Sequence, residues 1–185
     1  MALTPSSMIP LGTRAPDFSL TDTVSGKTLS YSEVKGEKGT LVMFICNHCP
    51  FVKHINPELV RLGKDYQKSP ISIVAISAND QEQYPEDSPT NMKALAQELG
   101  YTFPYLYDET QSVARAYGAE CTPDFFLFDH SDNLVYRGQL DGSRPENGVE
   151  LDGKDLRKAI DAVIAGDPVS ADQNPSVGCN IKWKE

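Results

Sequence analysis

The hydrophobic pattern switches repeatedly between two periods. Leu41 to Ile45 is apolar at every position, as in a strand covered on both faces. Ile71 to Ser77 predicts a second buried strand. Between them Val52, Ile55, Leu59 and Leu62 recur at helical spacing. Pro50 suits the first turn of that helix, and Pro57 is expected to kink its interior. A further helix opens at Ser88-Pro89, carries Met92, Leu95, Ala96 and Leu99 on one stripe, and stops at Gly100. Pro104 to Tyr107 reads as a short strand and Thr110 to Tyr117 as a short helix. Phe125 to Asp129 and Leu134 to Gly138 are strands joined by the turn residues His130-Ser131-Asp132-Asn133. Asp152 is expected to cap a last helix with Leu156, Ile160, Val163 and Ile164 on its buried face. Near the start, Ala15 to Leu20 and Lys27 to Leu29 bracket Ser25-Gly26 as a small hairpin, followed by a loop or short helix over Tyr31 to Gly39.

Strands alternating with helices imply parallel βαβ units with right-handed crossovers. The closing hairpin plus helix makes the sheet mixed, and the class is α/β. The 185 residues suffice for one domain with its own core. The division expected is an irregular leader over 1–14, one domain over 15–166 and a polar, proline-containing tail over 167–185. Seventeen basic against 26 acidic residues give a net charge of -9, which argues against nucleic-acid or anionic-membrane partners. No secretory leader or membrane span is apparent, so the expected compartment is the cytoplasm. Four cysteines in a reducing compartment point to redox or metal chemistry more than to a disulfide scaffold.

Cys46-Asn47-His48-Cys49 follows directly on the first apolar strand. Two thiols at this spacing, where a strand gives way to a helix, suit reversible dithiol–disulfide chemistry. Helix amides favour a thiolate, the nucleophile of disulfide exchange. A structural zinc site needs a second ligand pair, and no second C-x-x-C is present. Cys46 is expected to be the more exposed thiol and the attacker, with Cys49 one turn into the helix as the resolving partner. Asn47, His48 and Pro50 are assigned to tuning the pair, His48 because a nearby imidazolium lowers a thiol's pKa. Thr122-Pro123 precedes a strand, where a cis peptide is tolerated, and could present Thr122 backbone groups to a bound peptide. Cys121 and Cys179 are isolated. Each reads equally as an additional thiol or as a buried structural residue. His54 is not expected to share the face of Cys49, and His130 falls in a solvated turn.

Three blocks give the chain a family resemblance. Ala15-Pro16-Asp17-Phe18-Ser19-Leu20 is similar to the opening of redoxins. Leu41 to Pro50 resembles their active-site block. Cys121-Thr122-Pro123, with Phe125 to Asp129 and Tyr136-Arg137-Gly138, resembles the cis-proline strand and its hairpin partner. The chain thus resembles the thioredoxin-fold superfamily, in its redoxin or peroxiredoxin-like (AhpC/TSA-type) branch, over about residues 11 to 166. The resemblance implies a thioredoxin-like fold: a mixed central sheet flanked by helices, an N-terminal hairpin, and an insertion between the βαβ and ββα halves. It also implies Cys46 as nucleophile, Cys49 as its partner and Pro123 as the cis-proline. Aligned on Cys49-Pro50, the peroxiredoxin hydroxyl position holds Cys46, which weakens a peroxidase reading.

The function expected is a thiol-disulfide oxidoreductase without cofactor. Its partners would be a protein or small-molecule disulfide and a cellular thiol reductant. One alternative is a thiol peroxidase with Cys49 as peroxidatic thiol and a hydroperoxide as substrate. Another is a Cu or Zn carrier using Cys46, Cys49 and a histidine. No metal ligand set is assigned, and the oligomeric state is open.

Overall fold

The computed structural model describes residues 3–185. The chain runs β1 (Leu3–Pro5), β2 (Ser19–Asp22), β3 (Thr28–Ser30), α1 (Tyr31–Val34), β4 (Gly39–Phe44), α2 (Pro50–Tyr66) and β5 (Ile71–Ser77). A short 3₁₀ turn (Pro85–Asp87) leads to α3 (Pro89–Leu99), β6 (Tyr105–Tyr107), α4 (Ser112–Tyr117) and β7 (Cys121–Thr122). The chain closes with β8 (Asp124–Asp129), β9 (Leu134–Tyr136), α5 (Lys154–Ala165) and β10 (Val177–Asn180).

Seven strands form the central sheet in the order β3-β2-β6-β5-β4-β8-β9. β4 pairs in parallel with β5 and antiparallel with β8, so the sheet is mixed, as the sequence predicts. The continuous apolar run of β4 has a direct physical reason. Leu41 and Met43 pack on one face with residues of α2, α3 and α5. Val42 and Phe44 pack on the other, against Val113, Ala114 and Tyr117 of α4. β8 repeats this, with Phe125 and Leu127 on the first face and Phe126 and Phe128 on the second. Burying each such side chain contributes about 1.5–3 kcal/mol, so the central strands hold both helix layers.

α2 spans Pro50–Tyr66 with Pro57 inside it. Two local readings change in the structure. The N-cap position of α5 is Gly153, one residue after Asp152, whose carboxylate still accepts from the Lys154 N–H at 3.0 Å. Asp141 accepts hydrogen bonds from the N–H groups of Asp152 and Gly153, and Gly153 adopts φ 66° where a Cβ would lie 2.5 Å from Glu58 Oε1. The segments read as an irregular leader and a polar tail each contain a strand. Central β10 pairs antiparallel with β1 on one side and with β7 on the other, making a second sheet. Neither strand carries a long apolar run, so period alone does not reveal them.

Candidate active site

β4 ends at Phe44, and its ladder continues one residue further, where Ile45 N–H donates to Ile76 O. The chain then turns through Cys46-Asn47-His48-Cys49 into α2, which starts at Pro50. Cys49 is therefore the N-cap residue, and the N–H groups of Val52 and Lys53 donate to its carbonyl at 3.1 and 2.9 Å. Opposite stands the start of β8, where the Thr122–Pro123 peptide is cis, as expected. Thr122 meets both thiols: its Oγ1 is 3.4 Å from Cys46 Sγ and its carbonyl oxygen 3.3 Å from Cys49 Sγ.

The expected ranking of the two thiols does not hold. Cys46 is 1 % and Cys49 0 % exposed, so neither is the accessible one. β10 lies over them: Cys179 pairs with Thr122 in the β10–β7 ladder and puts its Sγ 2.8 Å from that of Cys49. The acidity is also the reverse of that expected. Hydrogen bonds from the Cys46 thiol, the Cys179 thiol and the Val52 N–H lower the Cys49 thiol to about 5 against the opposing effect of burial. Cys46 is raised by its hydrogen bond to Cys49, by burial and by the Asp87 carboxylate. The largest cause is the contact with Cys46: the pair shares one proton, and it stays on Cys46 while Cys49 collects the hydrogen bonds.

Asp87 is the residue that sequence reasoning missed. It is buried, and its carboxylate accepts from the N–H groups of Asn47 (2.7 Å) and His48 (3.1 Å) and from Asn79 Nδ2 (2.9 Å). It also forms a close ion pair with His48 Nδ1. It thereby shapes the Cys46–Cys49 turn from a loop some forty positions downstream. Nothing in its sequence neighbourhood separates it from the other acidic residues. The pairing raises His48 above its ordinary pKa, through the hydrogen bond to Asp87 and against burial, and His48 stacks on Tyr84 with ring centroids 5.2 Å apart. Asn47 accepts a hydrogen bond from Tyr105 Oη at 3.0 Å.

Pro50 sits at the helix start and Pro123 beside the thiols, as expected. Cys121 is not brought to them. Its Sγ faces Ser6 Oγ at 4.0 Å and the Pro123 carbonyl at 3.6 Å. His54 turns to Ser143 Oγ at 2.7 Å, and His130 is exposed in its turn. Among the described residues one group has metal-ligand spacing, with ligand atoms of Cys46, His48 and Asp87 within 4.8 Å of one another. It leaves out Cys49, and His48 Nδ1 is already engaged by Asp87. This arrangement serves the turn better than an ion.

The AhpC/TSA family profile matches residues 11–137. The chain belongs to the AhpC/TSA family. It is similar to a thiol-disulfide oxidoreductase, ResA, of Geobacillus thermodenitrificans (strain NG80-2), with 29% identity over 126 residues, 68% of this chain and 67% of that one. A conserved, uncharacterized protein from Geobacillus kaustophilus has a crystal structure that superposes with a TM-score of 0.98 at 58% identity, covering 100% of this chain and 97% of that one. The thioredoxin domain of a thiol-disulfide oxidoreductase from Bacteroides vulgatus shares the fold, with a TM-score of 0.58 at 20% identity over 75% of this chain and 92% of that one. The fold is thioredoxin-like. The family match ends before α5 and β10, so the strand over the thiols lies outside it. Among the described residues no helix is long and apolar enough to cross a membrane.

Proposed function

We propose that this AhpC/TSA member is a thiol-disulfide oxidoreductase that exchanges electrons with disulfide substrates through Cys46 and Cys49. The observation that carries this reading is the meeting of the two thiols at the start of α2 beside Thr122, with the Cys49 thiol lowered to about 5. A thiolate of the pair attacks one sulfur of the substrate disulfide, and the other substrate sulfur leaves as a thiol after protonation. The second cysteine then displaces the bound half. The products are a Cys46–Cys49 disulfide and two substrate thiols, so two electrons pass from protein to substrate. A cellular thiol returns them. The relatives' activity supports a substrate of the disulfide class, protein or small molecule. Because both thiols are covered, β10 has to lift from Thr122 before a bulky substrate can bind.

Insulin reduction with dithiothreitol as electron donor tests the reading. Loss of turnover in both Cys46→Ser and Cys49→Ser is expected. Full turnover in either variant rejects the pair as the working dithiol.

A further inference from the structure

Cys179 is the one remaining thiol that touches the proposed dithiol. Its Sγ lies 2.8 Å from Cys49 Sγ, a short step from the bonded distance of about 2.05 Å. Strand period decides its direction. Cys179 is paired with Thr122, so their side chains share a face of the β10–β7 ladder, and Thr122 Oγ1 is against Cys46. Cys121 pairs with Asn180 and takes the other face.

A second observation shows that β10 is built for this approach. At Gly178 a Cβ would lie 1.9 Å from the Thr122 carbonyl oxygen, so only glycine lets the strand come so near. On either side the tail is tied down: Ser176 Oγ donates to the Pro123 carbonyl at 2.6 Å, and Lys182 N–H donates to Asn79 Oδ1 at 2.9 Å. Asn79 in turn donates to Asp87, which shapes the Cys46–Cys49 turn. The tail thus lies along the Thr122 backbone, where a peptide substrate would pair, and offers a sulfur where such a substrate would offer one.

We propose that Cys179 is a third redox thiol of the site and forms a disulfide with Cys49. The proposal rests on the reading of Cys46 and Cys49 as the working dithiol. Once a substrate disulfide has oxidised that pair, the Cys179 sulfur attacks Cys49 Sγ. The Cys49–Cys179 bond forms, the Cys46–Cys49 bond breaks, and Cys46 leaves as a thiolate that takes up the proton Cys179 has lost. No electrons enter or leave in this exchange, since the substrate disulfide has supplied the oxidation. Cys46 is thereby regenerated while β10 is bonded across the site.

The test is disulfide mapping by mass spectrometry of native full-length Cys46→Ser protein treated with oxidised glutathione. This variant leaves β10 untouched. The expected product has lost two hydrogens, carries no glutathione, and yields a peptide pair linked through Cys49 and Cys179. Absence of that link overturns the proposal, whether Cys49 keeps glutathione or stays reduced. So does a link from Cys49 to Cys121 in its place. The same treatment of Cys179→Ala reports on the dithiol alone: a Cys46–Cys49 bond there, with no Cys49–Cys179 link in Cys46→Ser, removes only the third thiol. Failure of Cys179→Ala to form the Cys46–Cys49 bond, while the wild-type chain also reduces no insulin, removes the underlying reading itself.

Discussion

Cys121 and Cys179 sit on neighbouring hydrogen-bonded strands, and both are buried, yet they meet different chemistry. Cys179 faces a second sulfur at 2.8 Å, and burial with that contact pushes its thiol up to about 12. Cys121 faces Ser6 and lies beside the buried Asp124 carboxylate, and burial and that charge push its thiol up further. Burial alone therefore does not decide what a thiol meets. What separates Cys179 from Cys121 is whether the neighbour can accept a new bond, and in a strand pair one residue of offset decides that.

The largest effect expected from this contrast is on turnover. Cys49→Ser removes the sulfur that both Cys46 and Cys179 meet, and insulin reduction should fall by at least about 10³-fold. Cys121→Ser should stay within a few-fold of the parent in the same assay. Equal losses would erase the distinction between the two strands.

Next comes the ground under Cys121. Asp124 forms a buried ion pair with Arg137 and accepts from Ser6 Oγ at 2.7 Å. Asp124→Ala leaves the Arg137 charge buried without its partner and should cost about 3–5 kcal/mol in a urea titration. A loss below about 1 kcal/mol would mean that this region tolerates an unpaired guanidinium.

A smaller cost is expected on the Cys179 side. Gly178→Ala pushes β10 off the Thr122 carbonyl and should destabilise by about 1–3 kcal/mol. Its sharper readout is iodoacetamide labelling under native conditions. Cys46 and Cys49 should label faster than in the parent, while Cys121 should not. Unchanged labelling of the pair would show that β10 does not gate access.

The smallest effects are titrations. Cys49 falls from 9.0 to about 5 on folding, so between those values the unfolded state holds more protons. Its stabilising contribution is present above pH 9 and is lost as pH falls through about 5. Cys179 has the opposite sign: its contribution is present below pH 9.0 and is lost as pH rises toward about 12. Urea titrations of Cys49→Ala and Cys179→Ala against pH should therefore diverge from the parent at opposite ends of the range. Likewise, Asp87→Asn should lower the pKa of the His48 imidazole, read by NMR, because the hydrogen bond that raises it weakens. An unmoved His48 would assign the shift to another group.

Much of the fold was legible because its signals are local. The β4 and β5 runs, the Ser88 cap and the Gly100 stop lie where their residues predict. The cis Thr122–Pro123 peptide is as the family resemblance implies, whereas its residues alone fit cis and trans equally. The order of the thiols was not legible, since it depends on hydrogen bonds that Cys46 and the distant Cys179 make to Cys49 in the folded site. Asp87 was hidden among many acidic residues until the loop before α3 folded back onto the turn. β10 was hidden because its four residues, Val177 to Asn180, are too few and too polar to carry a strand period.

By itself the sequence determined an α/β chain with two thiols at a strand-to-helix junction, because hydrophobic period and residue spacing are properties of neighbours along the chain. Tertiary structure alone decided that Cys49 is the acidic thiol, that Asp87 holds the turn, and that Cys179 completes a group of three sulfurs. The last two depend on contacts between segments 40 to 130 positions apart, and the first on the geometry of the folded turn, whose free energies exist only once the chain has folded.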